Sequence, residues 1–410
     1  MKKIQDNIIS ALHNIRRNKA YAMFYVFGTA LTFIFISIVL QLMNDITNNT
    51  PPFVNADREV IIESYIKDPM GYYRGTVQHD HISLFLSTLK EYKFCAIRGQ
   101  QFGGVSINGR VTSTNFVTLV NGDYWTMREF NFITGRPFTE KDVKSKNKVA
   151  VVRKSFAETN FKTNEILGQK VEFQDVDYII VGVVDDYNSF VNGVEEVWIP
   201  YIFNRFQPEY NLFYQLSIQP KEGISITKFK EKIVAALKFY YQNKSIKVDI
   251  NNGEVLTRRE TRVKTFGENK LSYGVPIVLL LLLIIPSINI VVISIANVNN
   301  RVREIAIRRS MGATIYSSFI QIMVENLLLV IAGSIIGVAL AIPMAHVISR
   351  FFLSSGTDCD VMLITNIDFS VLILEIFPLS LLFVLFSGGI SAYWVARGNI
   401  SKMLKGGSKC

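Results

Sequence analysis

The sequence predicts a helical membrane protein: four transmembrane helices, with a large extracytoplasmic α+β domain inserted between helices 1 and 2. Three observations carry that expectation. Mean hydropathy is +0.24, and only 19% of the 410 residues are charged, which is too apolar for an ordinary soluble chain of this length. The apolar residues gather in four blocks, uncharged over 20–44, 271–300 and 326–345 and again after Glu375 as far as Ala396. Each block reaches the roughly 20 residues a helix needs to cross a hydrocarbon core about 30 Å thick. Between the first two blocks lies a long stretch of mixed polar and apolar character, large enough to bury a core of its own.

Residues 1–19 place Ile4, Ile8, Leu12 and Ile15 at helical spacing, with Lys3, Asn7, Asn14 and Arg17 around the rest of the cylinder. That is the pattern of a cytoplasmic amphipathic helix lying on the inner leaflet, in contact with membrane lipids. The block at 20–43 follows basic residues, as a secretion signal would. It is longer than a signal's apolar region of about 7–15 residues, and no small-x-small cleavage site follows, so it is expected to stay as transmembrane helix 1.

Within 44–270 short β-rich runs alternate with helical ones. Strands are predicted at 58–65, 96–105, 148–153, 169–173, 178–184, 213–219 and 244–251. Helices are predicted at 82–92 and 226–242, the second with Phe229, Ile233, Ala236, Leu237 and Tyr240 on one face. Residues 255–273 carry Arg258, Arg259, Glu260, Arg262, Lys264 and Glu268 and run into the next apolar block. A continuous helix there makes a stalk, with Gly267 the place for a break.

Transmembrane helix 2 is expected at 271–298, a cytoplasmic helix at 299–313, transmembrane helix 3 at 314–345, an outer loop at 346–368, transmembrane helix 4 at 369–396 and a tail at 397–410. The placement of the basic residues behind the net charge of +10 sets the orientation. Lys2, Lys3, Arg16, Arg17 and Lys19 precede helix 1, Arg301, Arg303, Arg308 and Arg309 follow helix 2, and Arg397, Lys402, Lys405 and Lys409 follow helix 4. The other short loop holds Asp358, Asp360 and Asp368 against Arg350. Both termini are therefore expected in the cytoplasm and the inserted domain outside. Glu325 and Glu375 lie near opposite ends of apolar blocks, where hydration can accommodate them. Gly333 and Gly337 form a Gly-x-x-x-Gly pair that lets helices pack closely.

Basic residues clustered at helix ends serve insertion and argue against a nucleic-acid partner, which no zinc-finger, basic-zipper or strand-binding signature supports. His79 and His81 could share a strand face but have no evident third ligand, so no metal site is expected. Cys95, Cys359 and Cys410 make neither a C-x-x-C pair nor an even framework; they are read as unpaired thiols, with a Cys95–Cys359 pair the alternative. Asp185-Asp186 and Glu195-Glu196 read as surface carboxylates. No G-x-x-x-x-G-K-S/T phosphate loop and no nucleophile–base constellation occur in the 410 residues, so no catalytic role is expected. Phe102, Phe116, Trp125 and Phe130 are read chiefly as core, with a cargo surface the alternative.

The most specific signal is the short basic segment between helices 2 and 3. As a helix it sets Val302, Ile305, Ala306 and Arg309 on one side and Arg301, Glu304 and Arg308 on another, with Gly312 as its C-terminal cap and Thr314 capping the next helix. The run Arg303-Glu304-Ile305-Ala306-Ile307-Arg308-Arg309-Ser310-Met311-Gly312-Ala313, followed by Gln321, Glu325-Asn326-Leu327 and Gly333 to Gly337, resembles the R-x-E-I-G-I-R-R-A-L-G-A run and helix of MacB/FtsX-like ABC transporter permeases. Asn14-Ile15-Arg16-Arg17-Asn18-Lys19 resembles the family's N-terminal helix; Gly135-Arg136-Pro137-Phe138, Val149-Ala150-Val151, Leu167-Gly168 and Val181-Gly182-Val183-Val184 resemble its periplasmic core domain. Ala306 stands in place of the usual glycine, and Ile400 in place of a proline in the tail.

The resemblance implies a type VII permease of the bacterial inner membrane, of the stand-alone kind without a fused ATPase, working by mechanotransmission. It implies a cytoplasmic ABC ATPase dimer that binds ATP and Mg, a second permease copy or paralogue, and room for a periplasmic adaptor. ATPase coupling is assigned by it to Arg303, Glu304, Ile305, Ala306, Ile307, Arg308, Arg309, Met311 and Gly312. The implied function is export or efflux of a peptide, toxic compound or lipoprotein; the alternative is an FtsX-like regulator of a cell-wall hydrolase or an antimicrobial-peptide sensor.

Overall fold

The computed structural model describes residues 2–63, 65–67, 73–75, 77–78, 82–112, 116–203, 213–243, 255–268, 270–299, 307, 310–312, 314–353, 361–389 and 393. The chain divides into an outer unit, 44–268 with 348–365, and a membrane unit, 1–43 with 269–347 and 366–410.

Two helices begin the chain, α1 (Lys2–Arg17) and α2 (Lys19–Thr47). The outer unit then contributes strands β1 (Val60–Ile62), β2 (Tyr65–Lys67), β3 (Tyr73–Gly75), β4 (Val77–Gln78), helix α3 (Ile82–Ser87), and strands β5 (Tyr92–Phe102), β6 (Ser106–Ile107), β7 (Arg110–Val111) and β8 (Phe116–Val120). Next come α4 (Gly122–Thr126), β9 (Phe132–Gly135), α5 (Glu140–Lys144), β10 (Val149–Arg153), α6 (Lys154–Phe161), β11 (Lys170–Phe173), β12 (Val176–Val184), α7 (Ser189–Asn192) and β13 (Val197–Pro200). The unit closes with β14 (Phe213–Pro220), α8 (Ile226–Asn243), β15 (Leu256–Thr257) and α9 (Arg258–Phe266).

One sheet runs through the unit in the order β15-β1-β14-β5-β8-β13-β10-β12-β11-β6-β7, with β4 also on β14 and β9 on β12. Two pairs, β10 with β12 and β8 with β13, are parallel. The alternation of side chains along each strand builds a core on either face. On β10, Ala150 and Val152 join a cluster with Phe156, Tyr178, Ile180, Phe229, Ile233 and Leu237. Val149 and Val151 join the opposite cluster with Tyr124, Trp125, Phe138 and Trp198. Burial on both faces is why β10 reads as an unbroken apolar run. Trp125 meets Phe130, Phe132, Phe138 and Trp198 edge-on, with ring centroids 5.2–5.7 Å apart, so Trp125 and Phe130 are core side chains. Gly135 and Gly182 face each other across β9 and β12, where a Cβ on Gly135 would lie 2.2 Å from the Val181 carbonyl oxygen.

The membrane unit continues with a π-turn at Lys270–Gly274, α10 (Val275–Asn299) and α11 (Ile315–Ile348). A further apolar segment is helical through Phe369–Val371, Leu372–Ile376, Phe377–Val384 and Leu385–Gly389. Among the described residues the apolar helices Lys19–Thr47, Lys270–Val292 and Phe319–Leu353 are long enough to cross a membrane, and Phe369–Val384 is a shorter apolar helix. α2 is the centre of the unit. Its Tyr25, Phe33, Ile36 and Leu40 pack with Leu283 and Ile290 of α10, Leu329 and Val330 of α11, and Val371, Ile376 and Phe383 of the last segment.

Several expected elements change. The helix from Ile82 stops at Ser87, because β5 begins at Tyr92 and takes the residues after it into the sheet. The stalk is not one helix: α9 ends on Gly267, which bonds the Val263 carbonyl at 2.9 Å and turns the chain with φ +85. The strand expected at 244–251, the segment 301–306 and the tail 397–410 lie outside the described residues.

Candidate functional site

Of the residues expected to couple to an ATPase, Arg303, Glu304, Ile305, Ala306, Arg308 and Arg309 lie outside the described residues. Ile307, Met311 and Gly312 are described and exposed. The Met311 amide donates to the Ile307 carbonyl at 3.1 Å, and the Ser310 hydroxyl donates to the same oxygen at 2.8 Å. This is an i to i+4 helical turn, and it places Ile307 and Met311, 47% and 77% exposed, on one side. Gly312 leaves the turn with φ +101, the left-handed conformation that ends helices and that a side chain resists. Thr314 then accepts from the Ser317 amide at 3.1 Å and caps α11. A helical turn thus gives way at Gly312, shortly before the Thr314 cap of α11.

Gly333 and Gly337 lie on α11 against the chain's own α2. A Cβ on Gly333 would fall 1.7 Å from the Thr29 hydroxyl oxygen, and one on Gly337 would fall 2.6 Å from the Ala30 carbonyl oxygen. Polar links flank this contact: Gln321 donates to the Ser10 hydroxyl at 2.9 Å, and the Tyr21 hydroxyl donates to Asn326 Oδ1 at 3.2 Å. Glu325 is buried, and Glu375 is half-buried. On α1, among the described side chains, Ala11 and Asn14 are buried, Ile15 packs against the core of the membrane unit, and Ile9 and Leu12 are exposed.

Of the two carboxylate pairs in the outer unit, Asp185 keeps a surface position with its side chain 37% exposed, whereas the other three are drawn inward. Glu195 and Glu196 are buried. Glu195 accepts from Arg98 Nε, from the Tyr124 hydroxyl at 2.5 Å and from Trp198 Nε1 at 3.0 Å. Burial opposes its charge, but the Arg98 guanidinium and the donors outweigh that and hold Glu195 below the usual carboxylate range. Asp186 accepts from the fully buried Arg153 at 2.6 Å.

A second buried cluster surrounds Glu59, whose Oε1 accepts from Arg128 at 2.7 Å and from Arg258 of α9 at 2.8 Å. Burial raises its pKa, yet the two guanidinium charges prevail and bring Glu59 down to about 2. The Phe53 ring is flanked by the guanidinium carbons of Arg258, Arg128 and Arg262 at 4.2, 5.0 and 5.2 Å. Burial and the neighbouring Arg258 lower Arg262 to about 10, which leaves it charged at neutral pH. Arg258 and Arg262 belong to the charged segment expected as a stalk. Their spacing of four on α9 was the available signal, since it sets both on one face.

Among the described residues no group of three or more His, Cys, Asp and Glu is placed to hold a metal ion. His79, His81 and Cys359 lie outside the described residues. Cys95 is a buried free thiol, and burial pushes its pKa up, away from reactivity.

Fold and sites together define a helical membrane protein carrying an inserted α+β domain. Residues 22–236 match the MacB-like periplasmic core domain, and residues 276–400 match the FtsX-like permease C-terminal region. The chain belongs to the MacB/FtsX-like ABC transporter permease family, whose core domain is periplasmic. It is similar to the macrolide export ATP-binding/permease protein MacB 2 of Aeromonas hydrophila, 24% identical over 58% of this chain and 37% of that protein. A similar protein is MacB of Neisseria gonorrhoeae, 25% identical over 57% of this chain and 36% of that one. The chain therefore spans just over a third of the length of these relatives. Among solved structures, the periplasmic region of MacB from Actinobacillus actinomycetemcomitans is similar with a TM-score of 0.42, at 14% identity over 51% of this chain and 93% of that one. The extracellular domain of the noncanonic ABC-type transporter YknZ from Gram-positive bacteria gives 0.37, at 17% identity over 46% and 95%.

Proposed function

We propose that the chain is the permease subunit of an ATP-driven ABC transporter of the bacterial inner membrane, both termini cytoplasmic. It transmits ATPase motion to its periplasmic domain and so exports a peptide, toxic compound or lipoprotein. The observation that carries this reading is the segment between α10 and α11. There an exposed Ile307–Met311 turn is joined to a membrane-crossing helix through Gly312, in a sequence with no phosphate loop of its own. ATP and Mg then belong to a cytoplasmic ATPase dimer, and its motion enters at Arg303–Gly312. The names of the similar proteins, which join ATP-binding and permease in one description, support the same pairing. A second permease copy and a periplasmic adaptor complete the proposed assembly.

Purification of the full chain in nanodiscs tests this. An ABC ATPase is expected to co-purify, and Glu304→Ala, Arg308→Ala and Gly312→Leu are each expected to uncouple ATP hydrolysis from export while leaving insertion intact. Full export by all three variants overturns the coupling assignment. Capture of a cell-wall hydrolase with export unchanged on deletion shifts the reading to a regulator.

A further inference from the structure

Three chain segments that lead from the outer unit towards membrane helices meet at one four-residue turn. α7 (Ser189–Asn192) is preceded by Asn188, whose side chain is buried and fully used: its Oδ1 accepts from the Val191 amide at 3.1 Å, and its Nδ2 donates to Asp45 Oδ2 at 2.6 Å. Asp45 belongs to the outer end of α2. Arg262 of α9 donates to the Asp45 carbonyl at 3.0 Å and to Asn192 Oδ1 at 2.6 Å, while Asn192 donates back to the Asn188 carbonyl at 2.9 Å. These bonds close a ring through α2, α7 and α9. Phe190 adds a ring contact with Phe266 of α9 at 5.7 Å.

Met362, on the stretch leading into the last apolar segment, meets the same turn. The Met362 amide donates to the Ser189 hydroxyl at 2.8 Å, and the Phe190 amide donates to the Met362 carbonyl at 3.1 Å. On its other side the turn hangs between β12 and β13, the two strands that pair with β10 at the middle of the sheet. Asp186 at one end bonds the buried Arg153 of β10. At the other end the Glu196 carbonyl accepts from the Arg153 amide at 2.9 Å. The Asp186 carboxylate and the Glu196 backbone carbonyl thus clamp the two ends of the loop to the central strand.

We propose that the Asn188-capped turn is the joint through which the segments leading to the membrane helices act on the central sheet. Asn188, Asp45 and Arg262 are its positioning residues. A displacement of α2 moves the Asp45 carboxylate and carbonyl together. Because both are bound in buried, charge-assisted bonds, the turn and α9 must follow or leave buried groups unpaired. The turn in turn pulls on β12 and β13, which cannot deform independently of a close-packed core. As the receiving end of nucleotide-driven motion, this joint rests on the transport reading above; as a mechanical joint it stands on the geometry.

Hydrogen exchange of the full chain in nanodiscs, alone and with its co-purified ATPase, tests the joint. Asn188→Ser keeps an oxygen for the Val191 amide and removes the bond to Asp45. It is expected to raise exchange about tenfold at 44–48, 258–266 and 361–365 together, with β10 unchanged. Asp45→Asn combined with Asn188→Asp restores one donor and one acceptor and is expected to return exchange towards the wild-type rate. With the ATPase, the difference between ATP-vanadate and ADP states in β12 and β13 is expected to vanish in Asn188→Ser while ATP hydrolysis continues. A rise confined to 188–192, no rescue by the reversed pair, or a nucleotide response that survives Asn188→Ser overturns the joint. A wild-type chain that binds no ATPase overturns the transport reading instead, and the exchange and rescue results still decide the joint.

Discussion

In the membrane unit α11 meets α2 at positions that have no side chain, Gly333 and Gly337. In the outer unit the sheet is held between two apolar cores and stitched by buried charges, Glu59 with Arg128 and Arg258, Glu195 with Arg98, and Asp186 with Arg153. The difference follows from solvent. Lipid tails are as apolar as the helices they surround, so helices gain by close van der Waals approach rather than by burial. Water drives the outer unit's apolar side chains together, and charges trapped in that core are tolerated only when paired. The membrane unit is thus specified by a few absent atoms, and the outer unit by a few obligatory pairs.

Breaking a pair is expected to have the largest effect. Glu59→Ala leaves Arg128 and Arg258 facing each other without their shared anion, and should destabilise the outer unit by about 3–5 kcal/mol. Urea unfolding of the full chain, followed by fluorescence of the buried Trp125 and Trp198, measures it; an unchanged midpoint would remove the cluster from the account. Filling an absent atom comes next. Gly333→Leu or Gly337→Leu forces α11 away from α2, at about 1–3 kcal/mol or more, and should render the membrane helices protease-sensitive at lower temperature while the outer unit's midpoint stays put.

Acid sharpens the same contrast. Glu59 titrates near 2 when folded, below its ordinary value of 4.5, so its contribution is complete above about pH 4.5 and is lost as pH falls through about 2. The outer unit should weaken over that window, and Glu59→Gln should flatten the dependence; equal acid sensitivity in wild type and variant would refute it. The smallest stability effect belongs to Gly312→Ala, about 1–2 kcal/mol for a side chain at positive φ. Nothing lies within 4 Å of the added atom, so its consequence should appear in coupling rather than in folding.

The local features were readable in advance. Apolar blocks, the Gly312 turn, the Thr314 cap and the close packing of Gly333 and Gly337 each follow from a short period or a single residue's conformational range. The buried charges were not. Glu195 finds Arg98 97 positions away and Glu59 finds Arg258 199 positions away, so nothing adjacent distinguishes these carboxylates from solvated ones. The break at Gly267 was legible from a single residue, but the bonds of Arg262 to Asp45 and Asn192, which fix α9 as part of the outer unit, were not.

By itself the sequence determined a membrane protein with a large inserted domain, and marked the basic segment between α10 and α11, because hydropathy and helical periodicity are local properties of the chain. Only the tertiary structure decided that Gly333 and Gly337 face the chain's own α2, and that Asp45, Asn188, Asn192, Arg262 and Met362 converge on one turn. Hydrogen bonds and ion pairs between distant segments obey no period along the sequence; the fold brings their partners together and burial makes the pairing obligatory.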